Sequence, residues 1–152
     1  MLDKISKRIL YELQNDGRIS NVELANRVNL SPAACLERVK KLQDARYIMG
    51  YTARLDPGLL DSALLVYIEI VLDRATPNAF ESFKKNIQDI PEVLECHLVA
   101  ARFDYLMKVR VKDMNAYRNF LERSLLQLAG VRETHTCTVM EEVKNSTQLP
   151  IR

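Results

Sequence analysis

Two helix-starting signals flank a single turn residue near the front of this chain, and together they restrict the local fold more than any other feature. In Ser20-Asn-Val-Glu23 a hydroxyl and a carboxylate have the spacing at which each can satisfy an orphan backbone amide at a helix start. In Ser31-Pro32 the serine is a cap, and the proline fills the first helical position, where its missing N–H loses no hydrogen bond. Between them lies Asn29, one of the few residues besides glycine that tolerates positive φ. The pattern predicts two short helices joined by a tight turn.

A preceding helix is expected from Asp3, its cap, to Asn15, with Ile5, Ile9, Leu10 and Leu13 on one side. Gly17 lies just past its end, where a left-handed residue often closes a helix. The second helix is expected to bury Val22, Ala25 and Val28. On the third, Leu36, Val39 and Leu42, with Cys35 beside them, form one face, and Ala34, Glu37, Arg38 and Lys41 form the opposite stripe. Three such helices make a helix-turn-helix over residues 1–55. A basic stripe on an isolated helix is usually just a solvated face. Here the caps and the asparagine turn shift the reading toward duplex DNA: small residues let the backbone approach base edges, and longer cations reach bases or phosphates. The expected groove-facing set is Ser31, Ala33, Ala34, Glu37, Arg38 and Lys41, with Arg18 and Arg27 as candidates for phosphate contact. YIMGYTARLDP then alternates around Gly50 and predicts a wing-like ribbon of one or two short strands. Asp56-Pro57-Gly58 marks the module boundary, inside a linker over residues 56–61.

From residue 62 the apolar period changes. LLVYIEIVLD predicts a strand, and Ala79, Phe80, Phe83, Ile87 and Ile90 a helix that Pro91 stops. VLECHLVA and FDYLMKVRVK predict two more strands. A helix follows on Met114, Tyr117, Phe120, Leu121, Leu125 and Leu128, ending near Gly130, and VRETHTCTVMEEV closes the domain as a strand. The fold class is therefore α+β: a winged helix-turn-helix followed, over residues 62–145, by a βαββαβ ferredoxin-like sandwich. Residues 146–152 read as a loose tail. Both helices cover one face of the sheet. Leu65, Tyr67, Val71 and Leu106 remain on the other, and exposed apolar strand surface of this kind predicts homodimerisation.

Several classes of function are disfavoured. Lys4, Lys7 and Arg8 interrupt the one candidate for a signal peptide, and ALLVYIEIVL carries Glu69 and is too short to span a bilayer, so a cytoplasmic protein without a membrane partner is expected. Cys35, Cys96 and Cys137 are odd in number and lack a CxxC pair, which argues against a disulfide framework or a metal site; His135 with Cys137, and Cys96 with His97, read as ordinary side chains. No nucleophile–base pairing or Gly-rich phosphate loop suggests an enzyme. FDYLMKVRV lacks the glycines and aromatic spacing of an RNA-recognition strand. Residues 1–58 hold ten Lys/Arg against seven Asp/Glu, whereas residues 59–152 hold twelve against thirteen, so a polyanion partner suits the first module better.

NDGRISNVELANRVNLSPAACLERVKKLQDARYIMGYTARLDP, with ECHLVAARFDYLMKVRV and THTCTVMEEV, closely resembles the leucine-responsive regulatory protein (Lrp/AsnC) family along essentially the whole chain. The resemblance implies a transcription regulator without an enzymatic cofactor, whose partners are double-stranded DNA and a free amino acid, leucine or methionine. It implies homodimers that assemble further, often to octamers, with the effector between dimers near the loop joining the second and third strands. That loop is Ala100-Ala101-Arg102-Phe103-Asp104, preceded by Val99. Asp104 matches the position that meets an ammonium group, and Thr136 and Thr138 would come from a neighbouring subunit. Two positions depart from the family pattern. Ala101 and Arg102 narrow a space usually left open by glycine, and Arg46 stands where a helix-ending glycine is common, at a cost of roughly 1 kcal/mol if it turns left-handed.

Overall fold

The computed structural model describes residues 2–152, which divide into two compact units: residues 2–54 joined by Lys144–Arg152, and residues 55–143.

In the first unit, α1 spans Lys4–Asn15, α2 Asn21–Arg27 and α3 Pro32–Asp44. The caps form as the sequence implies: Asp3 accepts from the Ser6 amide at 2.7 Å, Ser20 from Glu23 at 3.1 Å and Ser31 from Ala34 at 3.3 Å. Asn29 takes φ 54° between α2 and α3, and Arg46 takes φ 59° after α3, the left-handed geometry that carries the cost noted above. Ile9, Leu24, Ala25, Val28, Cys35 and Leu42 form the buried core.

Local details depart from expectation. Leu24 is buried and Val22 exposed, because the apolar face of α2 is set by its packing on α3. Leu36 is 60% exposed for a similar reason: α3 is phased about Cys35 and Leu42. The Glu23 carboxylate does not reach back to Ser20; it accepts from Arg27 Nε at 2.9 Å. Gly17 is not left-handed. Its small size matters instead, since an added Cβ would lie 3.2 Å from the Tyr51 ring. Residues 48–56 form no paired strand, so the ribbon expected there is an extended segment. The tail is not loose: Gln14 and Leu149 exchange two hydrogen bonds, and Gln148 Nε2 donates to Asn15 Oδ1 at 3.0 Å.

The second unit has the expected βαββαβ order. β1 is Leu64–Leu72, α4 Ala79–Asn86 with a 3₁₀ turn Ile87–Asp89, β2 Val93–Leu98 and β3 Tyr105–Val111. α5 is Met114–Phe120, continued by a wide turn over Leu121–Leu125, and β4 is Val131–Thr138. The antiparallel sheet runs β2-β3-β1-β4. Val66, Ile68, Ile70 and Leu72 alternate onto the helix-covered face and meet Phe83, Met107, Val109, Tyr117, Phe120 and Leu125 in one core. Gly130, at φ 87°, lets the chain turn against Ala79, where a Cβ would come within 2.7 Å. On the opposite face Tyr67, Val71 and Leu106 are half-buried, but Leu65 is fully buried within this single chain. Beside it, Arg110 donates to the Ser62 and Ala63 carbonyls and pairs with Glu142. No helix among the described residues is long and apolar enough to cross a membrane.

Candidate nucleic-acid interface and effector cleft

The outer face of helix α3 is rotated from the stripe that the sequence pattern implied, though part of that stripe stays outward. Its exposed residues include Ala33, Leu36, Glu37, Lys40 and Lys41, while Ala34 and Arg38 are half-buried on the flank. Successive residues differ by about 100° around the helix, so this rotation changes which side chains point outward. Arg38 is held inward: its Nη1 lies 2.6 Å from Asp3 Oδ2 and 3.4 Å from Ser6 Oγ, which ties α3 to the start of α1. The Ser6 amide and then the Arg38 guanidinium hold the Asp3 carboxyl down at about 2. Glu37 pairs with Lys41 at 2.7 Å, which depresses the Glu37 carboxyl, and Lys40 has no ion pair among the described residues.

The two outlying cations differ. Arg27 is built into the fold: it donates to Glu23 and, at 3.1 Å, to the buried Glu12, which Arg8 also meets at 2.7 Å. These two acceptors raise the Arg27 guanidinium further above its ordinary value. Arg18 is exposed, and its backbone amide donates to Asp16 Oδ1 at 2.9 Å. Ser31 is occupied as a cap. Leu36 and Lys40 are the outward residues that sequence reasoning missed; only the phase of the helix against its core reveals them.

In the second unit an open cleft of about 800 Å³ lies between the start of α4 and the end of β2. Asp104 forms part of its floor and is stapled in place. Its backbone amide donates to the Ile70 carbonyl at 2.8 Å, its carbonyl accepts from Val99 at 3.0 Å, and its Oδ2 accepts from the Leu72 amide at 2.8 Å. The remaining carboxylate oxygen, Oδ1, faces Arg74 Nη2 at 3.6 Å. Ala79, Phe80, Leu98, Val99 and Ala100 give the cleft an apolar wall, and Thr76, Asn78 and Glu81 line its mouth. Beneath Phe80 the Tyr105 ring is buried with its hydroxyl unpartnered, and burial raises that phenol.

Of the effector residues implied by the family resemblance, Val99 and Asp104 line this cleft, but Ala101, Arg102, Phe103, Thr136 and Thr138 do not. Arg102 is exposed and approaches Glu69 at 3.9 Å on the sheet face away from the helices. Thr136 shares a 2.6 Å hydrogen bond with the Tyr117 hydroxyl, and Thr138 stands opposite Val66 in the sheet. Leu98 enters the cleft from the end of β2 just before the loop, but Arg74 and Phe80 come from segments far from it, so no local motif could have joined those two to it. His135 pairs with Glu133 at 3.0 Å and His97 with Glu95 at 3.3 Å, while burial lifts the Cys96 thiol to about 11.

Comparison with known proteins bears on both modules. Residues 2–49 match the family model of a winged helix-turn-helix DNA-binding domain, and residues 65–149 match that of the Lrp/AsnC ligand binding domain. The chain is 56% identical over 151 residues to the leucine-responsive regulatory protein of Escherichia coli, covering 99% of this chain and 92% of that one. The protein of the same name from Klebsiella pneumoniae is equally similar, 56% identical over the same shares. A transcriptional regulator from Neisseria meningitidis, solved in complex with L-methionine, has a TM-score of 0.95 at 38% identity, covering 99% of this chain and 97% of that one. A feast or famine regulatory protein from M. tuberculosis, complexed with L-methionine, has a TM-score of 0.88 at 31% identity over 100% of both chains.

Proposed function

This chain belongs to the Lrp/AsnC family of transcriptional regulators, and on that premise we propose how its two modules divide the work. It is a DNA-binding regulator that responds to an amino-acid effector. The effector in this reading is leucine or methionine, whose unbranched or singly branched apolar side chains suit a wall of Phe80, Leu98 and Val99. The observation that carries the DNA assignment is the orientation of α3: one face is locked on the core by Cys35 and Leu42, which leaves Ala33, Leu36, Glu37, Lys40 and Lys41 exposed on the face that can enter a groove.

A homodimer presents two copies of α3 to major-groove half-sites about 34 Å apart, one helical turn of DNA. The half-buried apolar residues Tyr67, Val71 and Leu106 on the uncovered sheet face supply the dimer contact. Further assembly, to an octamer, lines up more reading heads and raises avidity without new contacts. In that assembly Ala101, Arg102 and Phe103 of one subunit, and Thr136 and Thr138 of another, stand around the effector. Ser31, Ala33, Ala34, Glu37, Arg38 and Lys41 form or brace the groove-facing surface, with Arg18 near phosphate. The effector shifts the assembly only by its difference in affinity between arrangements. The protein acts in the cytoplasm, where the DNA is.

The test is fluorescence anisotropy on the protein's own promoter region across a salt series, with and without leucine or methionine, alongside sedimentation analysis. Binding that weakens with salt, responds to either amino acid and accompanies an oligomer is expected. A monomer that ignores its promoter at low salt overturns the reading.

A further inference from the structure

We propose that α1 and the C-terminal tail form a second small-molecule site, one that takes a nucleoside phosphate within the DNA-binding unit. It is separate from the amino-acid cleft and does not depend on how that cleft is read.

A nucleotide carries a flat aromatic base at one end and a multiply charged phosphate at the other. A site for it needs cations without competing carboxylates, a π-surface for the base and an apolar edge. A cleft of about 440 Å³ with these parts lies between α1 and residues 148–151. Lys4, Lys7 and Arg8 line it, and no carboxylate side chain does. Neither Lys4 nor Lys7 has an ion pair among the described residues. Lys7 is half-buried, so it has given up part of its water without gaining a protein anion, a cost that a bound phosphate offsets. Arg8 is fixed. It meets Glu12 at 2.7 Å, and its guanidinium carbon lies 5.5 Å from the centroid of the Tyr11 ring. Tyr11 is 53% exposed, so this stacked pair offers planar surface on which a base can lie. Leu149 and Pro150 supply the apolar edge, which Gln14 holds against α1 through its two hydrogen bonds to Leu149.

Duplex DNA is a poorer occupant of this cleft. The border of α1 with α3 is made by Asp3 and Ser6, which Arg38 contacts. At about 100° per residue, Lys4 and Arg8 each stand about 200° from Ser6 around the helix, and Tyr11 about 140°. These side chains therefore face away from the border with α3, and the tail narrows the approach to them. A rod lying along α3 does not meet them, whereas a small anion enters.

Calorimetric titration of the full chain, without amino acid or DNA, tests this with three probes: ATP, tripolyphosphate (the phosphates without the base) and adenosine (the base without the phosphates). Circular dichroism confirms that each variant is folded. The wild type is expected to bind ATP more tightly than either fragment. Replacing both lysines, Lys4→Gln with Lys7→Gln, should lower ATP affinity roughly tenfold or more. Tyr11→Ala should weaken ATP but leave tripolyphosphate unchanged, and Tyr11→Phe, which keeps the ring, should bind ATP like the wild type. Lys40→Gln, on α3, should also titrate like the wild type. The proposal is overturned if the wild type binds none of the probes or if the double lysine variant titrates unchanged. A loss in Lys40→Gln would overturn it as well, by placing the anion on the DNA-reading face. Equal binding of ATP and tripolyphosphate, with Tyr11→Ala unaltered, would overturn the assignment to a nucleotide. Because no amino acid is present, none of these outcomes bears on the effector reading.

Discussion

Arg27 Nη1 lies 3.1 Å from Oε2 of Glu12, a carboxylate only 5% exposed, and so joins α2 to α1 across the core of the DNA-binding unit. Arg8 occupies the other oxygen at 2.7 Å. Glu12 is the one buried charged residue among those described, and its cost of burial is offset by these two cations. Glu12→Ala removes two charge-assisted bonds and leaves a gap beside Ile9, so it should destabilise the first unit by about 1–3 kcal/mol in urea unfolding. Glu12→Gln, which keeps the shape and part of the hydrogen bonding, should lose less. Equal stability of Glu12→Ala and the wild type would show that this pair does not hold the helices together.

Asp3 gives the same unit an acid limit. Its carboxyl is lowered from 3.8 to about 2, first by the Ser6 amide and then by Arg38. Because the folded value lies below the unfolded one, its stabilising contribution is complete above 3.8 and disappears as pH falls through about 2. A carbon-detected NMR titration of Asp3 should therefore have its midpoint well below that of an ordinary aspartate. Arg38→Ala should move it only part of the way back, since the larger cause, the cap on α1, remains. A full return to 3.8 in that variant would assign the shift to the ion pair alone.

Besides the Gln148–Asn15 bond, the last residues of the chain are held by one side chain that bonds twice to their backbone. Gln14 Oε1 accepts from the Leu149 amide at 2.7 Å, and Gln14 Nε2 donates to the Leu149 carbonyl at 3.0 Å, so the carboxamide pairs with the tail as a neighbouring strand would. Gln14→Ala should release residues 146–152. Amide hydrogen exchange at Leu149 would rise toward the rate of an unprotected chain, and proteolysis would trim the tail faster. Exchange at Leu149 that is already unprotected in the wild type would mean that these bonds do not persist.

What the sequence made legible was what local spacing encodes. The caps at Asp3, Ser20 and Ser31, the left-handed Asn29 and the alternation of β1 and β3 all follow from neighbours a few residues apart. Phase errors arose where two helices compete for one core. α3 offered two overlapping apolar stripes, one through Leu36 and one through Cys35 and Leu42, and packing selected the second. The tail was unreadable because Gln14 and Leu149 are joined only by the fold. The cleft divides the same way: Val99 and Asp104 sit in a recognisable loop, whereas Arg74 and Phe80 reach it through the strand pairing that brings the end of β1 beside Asp104.

The rotated face of α3 makes a distinction that DNA binding can measure. Lys40 is exposed and has no ion pair among the described residues, so a phosphate can take it without breaking an existing contact. Lys41 must share Glu37, and Arg38 must leave Asp3. Each cation that neutralises a phosphate contributes about 0.9 to the slope of log affinity against log salt on duplex DNA. Lys40→Ala should therefore weaken promoter binding by a similar factor across sequences and reduce that slope by about one for each copy in contact. Arg38→Ala should weaken binding as well, but it should also shift the Asp3 titration, because it loosens the junction between α1 and α3. Anisotropy at four or more salt concentrations separates the two. An unchanged slope in Lys40→Ala, together with a lowered slope in Arg38→Ala, would return the reading face to the stripe of Ala34, Glu37, Arg38 and Lys41.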